Sequence, residues 1–85
     1  MKLNMYTHLE IAKDAQNGNP LTPREMSCLM LLATGKNPEQ CADLLKITYS
    51  SVVTYEKRIR QKLGAMNRAH AVYIAISRGF VKIKK

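Results

Sequence analysis

Apolar residues recur three and four positions apart through most of the chain, and prolines, glycines and small polar residues interrupt them at short intervals. In LTPREMSCLMLLATG, residues 21 to 35, Cys28, Leu29, Leu32 and Ala33 fall on one helical face. Thr22 suits the N-cap, Pro23 the first helical position where no N–H is needed, and Glu25 completes a capping box. Gly35 supplies a left-handed stop, so the marks predict a helix over residues 23 to 34. The pattern restarts at once. Asn37 caps, Pro38 follows, Gln40 stands three residues after the cap, and Cys41, Ala42, Leu44 and Leu45 form the apolar set of a short helix over 38 to 45. Lys46, Ile47 and Thr48 make a tight connection in which Ile47 turns to the core and Thr48 caps the next helix.

In TYSSVVTYEKRIRQKLG, Val52, Glu56, Ile59 and Leu63 share a stripe, which predicts a third helix over 49 to 63 with that stripe inward. Its opposite face collects Ser50, Val53, Thr54, Lys57 and Gln61, flanked by Arg58, Arg60 and Lys62. A fourth helix is expected over 68 to 78, with Val72, Ala75 and Ile76 as its core stripe and Gly79 as its stop; Phe80 and Val81 then fold back as a clasp. Near the start, Thr7 and Glu10 have capping-box spacing, and Met5, Leu9 and Ala12 can share a face. A short helix over 8 to 16 is therefore expected, ended by the turn signal NGNP. Two helices joined by three residues have the size of a helix-turn-helix. The expected architecture is all-α: a compact tetrahelical helix-turn-helix domain over 21 to 81, a short N-terminal helical extension over 1 to 20, and a basic tail over 82 to 85.

Charge adds a direction to this plan. The net charge is +8, yet the first 50 residues carry five Lys or Arg against five Asp or Glu, so the whole excess lies beyond them, where Glu56 is the only acid. Such asymmetry points to a polyanion partner. An anionic membrane is a poor fit, because the apolar faces opposite the charges are needed for the core. No apolar run approaches the roughly 18 residues of a membrane span, and residues 1 to 20 lack a signal-peptide core, so a cytoplasmic location is expected.

With 85 residues, little chain remains after one core is built to line a catalytic cavity. Ser50 and Ser51 have no histidine in a general-base position, no glycine-rich phosphate loop is present, and no enzyme activity or cofactor is expected. His8 and His70 have no partner at metal-ligand spacing, and Cys28 and Cys41, set in helical apolar patterns, are expected to be buried free thiols. Met26, Met30 and Met66 are expected to fill the core.

The outer face of the third helix then becomes the candidate site. A helix whose N-terminal half enters the major groove can present valine to a thymine methyl, threonine to a methyl or a hydrogen-bonding edge, and lysine to guanine acceptors. Flanking cations would lie near phosphates on either wall.

These residues resemble a known family. Leu21-Thr22-Pro23-Arg24-Glu25, then Leu29, Ala33, Gly35, Ala42, Leu45, Ile47-Thr48, Ser51-Val52, Ile59, Lys62-Leu63, Asn67-Arg68, Ala71 and Gly79 are similar to the LuxR-type (GerE-like) helix-turn-helix DNA-binding domain over residues 21 to 81. The resemblance implies a regulator of transcription that binds double-stranded DNA as a homodimer through its fourth helix. It places base reading on Val53, Thr54 and Lys57, and backbone contacts on Thr48, Ser50, Ser51, Tyr55, Arg58, Lys62 and Arg68. The family usually has lysine where Val53 stands, histidine at Tyr55, a small-polar pair at Asn37-Pro38 and glycine at Lys46, so its DNA sequence preference does not transfer.

The first 20 residues are too few for the sensor or receiver domain that usually accompanies such a domain, which implies a stand-alone regulator. The second reading is a small adaptor or antiactivator that uses the same scaffold to occupy another regulator or RNA polymerase. Selection from random duplexes separates the two.

Overall fold

The computed structural model describes residues 9–11 and 18–83. Each helix begins where a side chain takes up the N–H groups that a first turn leaves without partners. Thr22 opens α1 (Pro23–Ala33): its hydroxyl accepts from the Glu25 N–H at 3.2 Å, and Glu25 Oε1 accepts from the Thr22 N–H at 2.9 Å. Asn37 and Gln40 repeat the exchange at 2.8 and 2.9 Å to open α2 (Pro38–Leu45). Thr48 caps α3 (Tyr49–Leu63), and Asn67 caps α4 (Arg68–Ser77). The four helices expected of the core are therefore present, with α1 and α4 each one residue shorter at the C-terminal end.

Two helix ends close with the same device. Gly64 and Lys46 both adopt the left-handed conformation, with φ of 67° and 57°, and the next residue's N–H reaches back to a carbonyl of the last turn: Ala65 to Arg60 at 2.8 Å and Ile47 to Ala42 at 3.0 Å. Glycine takes this conformation without penalty. Lysine does so against a Cβ clash, yet the bend is what joins α2 to α3.

The core is built around α1. Met26, Cys28, Leu29, Met30, Leu31 and Leu32 are all buried, which exceeds the single stripe expected, because α2, α3, α4 and the N-terminal strand all pack against this helix. Cys41 and Ala42 from α2, Val52, Ile59 and Leu63 from α3, and Phe80 and Val81 complete it; Leu44, Leu45 and Ile47 are half-buried against it. In α4 the buried residues are Ala71, Ile74 and Ala75, whereas Val72 and Ile76 are only half-buried, so the expected stripe is rotated by about one position. Met66 is not core; it is exposed. Cys28 and Cys41 are buried free thiols, and burial pushes the Cys28 thiol up to about 12, which keeps it protonated and inert.

The N-terminal expectation is corrected. Leu9–Ile11 form a strand, β1, that pairs antiparallel with β2 (Val81–Ile83), in the register Leu9↔Ile83, Glu10↔Lys82 and Ile11↔Val81. The rest of the helix expected over 8 to 16 lies outside the described residues. Extended backbone wins at 9–11 because the pairing supplies hydrogen bonds from a distant segment, which local spacing does not reveal. Lys82 and Ile83 accordingly belong to β2 and not to a basic tail.

One ion pair fixes the position of α3 on α1. Glu25 is only 2% exposed, and Lys62 Nζ donates to its Oε1 at 2.8 Å. Burial alone would raise the Glu25 pKa, but the hydrogen bonds from Lys62 and from Thr22, with the lysine's charge, hold it below its ordinary 4.5. A carboxylate whose folded pKa is depressed contributes stability above its ordinary pKa and loses it as pH falls through the depressed value. Lys62→Ala should therefore cost about 1–2 kcal/mol at neutral pH, less than a fully buried pair because the lysine head is 34% exposed. Thermal melts should show the gap from wild type closing in acid. Lys46→Gly should act oppositely and stabilise the fold by about 1 kcal/mol, read as a higher denaturant midpoint.

Candidate nucleic-acid interface

Along α3, burial alternates with the helical period. Val52, Ile59 and Leu63 are buried, while Ser50, Val53, Thr54, Lys57, Arg58 and Gln61 are exposed. The inward residues fix the helix rotation, and the outward ones follow as a consequence. Val53, Thr54 and Lys57 are thus brought to one open surface, with Val53 45% exposed.

The N-terminal end of this surface is a cluster of hydroxyls. Thr48 Oγ1 accepts from the Ser51 N–H at 3.1 Å, donates to Ser51 Oγ at 2.9 Å, and lies 3.2 Å from Ser50 Oγ. The helix dipole makes this end favourable for an anion. Ser50, Ser51, Thr54, Tyr55 and Arg58 line a shallow polar notch beside it. Tyr55 is half-buried against the core and also borders that notch, so packing sets its position and leaves one edge open.

Two residues expected at the DNA backbone have other commitments. Lys62 is bound to Glu25, as described above. Arg68, at the start of α4, donates Nε to Glu56 Oε2 at 2.8 Å and an Nη2 to Oε1 at 3.2 Å, and the Glu56 hydrogen bond raises its pKa further. Arg60 approaches the same carboxylate at 3.6 Å. Glu56, placed on the inward stripe by its spacing, is therefore the anchor between α3 and α4. Lys57 and Arg58 make no ion pair among the described residues and remain as exposed cations on α3. Spacing alone did not separate the committed cations from the open ones, because Glu25 lies 37 positions from Lys62.

Tyr49, the first residue of α3, was not among the expected site residues, yet it is 55% exposed one turn before Val53. Its signal was in the sequence as an aromatic four residues before an exposed valine.

A short capped helix, a three-residue turn, and a longer helix with an anchored inner face and an open polar outer face define a helix-turn-helix domain. The model of the GerE family, bacterial regulatory proteins of the luxR family, matches residues 19–75. The chain belongs to this luxR family of bacterial regulatory proteins. It is 41% identical over 70 residues to the HTH-type quorum sensing-dependent transcriptional regulator VjbR of Brucella abortus, a match covering 81% of this chain and 27% of that protein. It is 33% identical over 66 residues to the transcriptional regulatory protein MctR of Rhizobium johnstonii, covering 78% of this chain and 31% of that protein. Among solved structures, VqmA bound to DPO superposes with a TM-score of 0.66 at 37% identity, over 73% of this chain and 31% of that one. The chain thus spans about three-tenths of the length of these relatives.

The two faces of α3 should respond differently to truncation. Val53→Ala, Thr54→Ala and Lys57→Ala should each leave stability within about 0.5 kcal/mol of wild type. Ile59→Ala should lose about 2–5 kcal/mol, and urea unfolding distinguishes the two sets.

Proposed function

We propose that this chain is a sequence-specific DNA-binding regulator of transcription, with α3 inserted in the major groove of double-stranded DNA. The observation that carries this reading is the open face of α3, on which Val53, Thr54 and Lys57 point away from a rigidly anchored inner stripe. These three read base edges; Thr48, Ser50, Ser51, Tyr55 and Arg58 hold the phosphate backbone. Lys62 and Arg68 serve by fixing α3 on its neighbours. The charge of +8 supplies non-specific attraction. The names of VjbR and MctR as transcriptional regulators support the same role.

The protein acts in the cytoplasm and binds as a homodimer through α4. Support for the dimer comes from Val72 and Ile76, half-buried in the single chain, beside Tyr73, which is exposed. A two-fold pair of α3 helices would match a site with inverted half-sites.

Selection of bound duplexes from a random library tests the proposal, and an enriched inverted repeat is the expected result. On that duplex, log affinity should fall with log salt by about 0.9 per phosphate neutralised. Arg58→Ala should weaken all duplexes alike and lower that slope by about 1, whereas Lys57→Ala should cost about 1–3 kcal/mol on the selected sequence and relax preference at one base step. A library that yields no enriched sequence, with a stable complex formed instead with another regulator or RNA polymerase, would favour the adaptor reading.

A further inference from the structure

Four large apolar side chains are exposed among the described residues: Tyr49, Val53, Met66 and Tyr73. Scattered exposed apolar residues are ordinary on a protein surface. Tyr49 and Val53 are not scattered, because residues four apart on a helix are neighbours, and both lie in the N-terminal half of α3. Neither belongs to the core or packs against it. Around them stand the exposed hydroxyls of Ser50 and Thr54 and the ammonium of Lys57, so the patch is a small apolar island on a hydrogen-bonding face.

The major-groove edge of DNA has a complementary composition. It offers donors and acceptors at every base pair, and the C5-methyl group of thymine is its apolar feature. Valine has neither donor nor acceptor, so guanine and adenine edges give it nothing to bind and leave their own polar groups without partners. A pyrimidine C5-methyl is the base-edge group that a valine side chain can cover with gain. 5-Methylcytosine carries the same methyl at the same ring position.

We propose that Val53, walled by Tyr49, reads the C5-methyl group of a pyrimidine, so that preferred duplexes carry thymine or 5-methylcytosine at one step of each half-site. The inference rests on the reading of α3 as a base-contacting helix, and it adds a chemical identity to what that helix detects. Unmodified cytosine at the same step is discriminated against, and methylation of that cytosine restores binding.

The test uses the duplex enriched from the random library, resynthesised with each thymine replaced in turn by deoxyuridine, which keeps every hydrogen-bonding group and lacks only the methyl. Wild type should bind about fourfold more weakly when one particular thymine of a half-site is replaced, the effect of one buried methyl. Val53→Ala should bind the thymine and deoxyuridine duplexes equally, while Lys57→Ala weakens both and keeps their ratio. Putting cytosine and then 5-methylcytosine at that step should recover about the same factor of four. Tightest binding to thymine marks ordinary DNA as the natural ligand, and tightest binding to 5-methylcytosine marks methylated DNA; either supports methyl reading. Equal binding of thymine and deoxyuridine duplexes at every position, or a Val53→Ala variant that keeps the discrimination, overturns the inference while leaving sequence-specific binding intact. A library with no enriched sequence overturns both readings together.

Discussion

A carboxylate with 2% exposure is tolerable only where hydrogen bonds and a counter-charge replace the water it has lost, and Glu25 has both. Its Oε1 accepts from the Thr22 N–H and from Lys62 Nζ, at 2.9 and 2.8 Å. One side chain thereby closes the first turn of α1 and holds the last turn of α3. The pairing is directional in a way that apolar contact is not. Val52, Ile59 and Leu63 would accept small rotations of α3, but a lysine tied to a fixed carboxylate limits them. Glu56, held by Arg68 and approached by Arg60, does the same between α3 and α4. The outward face of α3 owes its definition to these two acids as much as to the apolar core.

That arrangement divides the cations of the C-terminal half into two kinds. Lys62 and Arg68 neutralise buried or half-buried acids, whereas Lys57 and Arg58 face outward without such partners among the described residues. Net charge counts the two kinds alike, but an anionic partner does not, because a cation already in a pair must give up one partner to gain another. The electrostatic footprint of α3 is thus narrower than its composition and lies along its outer side, with Lys57 and Arg58.

Local signals made the helices legible. Thr22, Asn37, Thr48 and Asn67 each act as caps through hydrogen bonds within a few residues, so their geometry is encoded where it is used. The open positions of Val53, Thr54 and Lys57 were legible for the same reason, since the period of the helix carries inward and outward together. Other features depended on residues far along the chain. The partners of Lys62 and Arg68, the extended state of Leu9–Ile11, and the burial of Ile74 in place of Val72 are all decided by tertiary neighbours. Lys46 was the intermediate case. Its departure from the usual glycine was visible, but only the backbone shows that lysine accepts the left-handed bend and does not abolish it.

The pairing of β1 with β2 has a kinetic consequence. Helices and their immediate packing arise from contacts close along the chain, whereas the register Leu9↔Ile83 joins segments from opposite ends of it. Closing so long a loop carries a larger entropic penalty than the contacts between neighbouring helices, and three residue pairs return little for it. The two strands are therefore expected to join after the helical body has formed, with Val81, which is buried in the core, tying β2 to that body more firmly than β1 is tied.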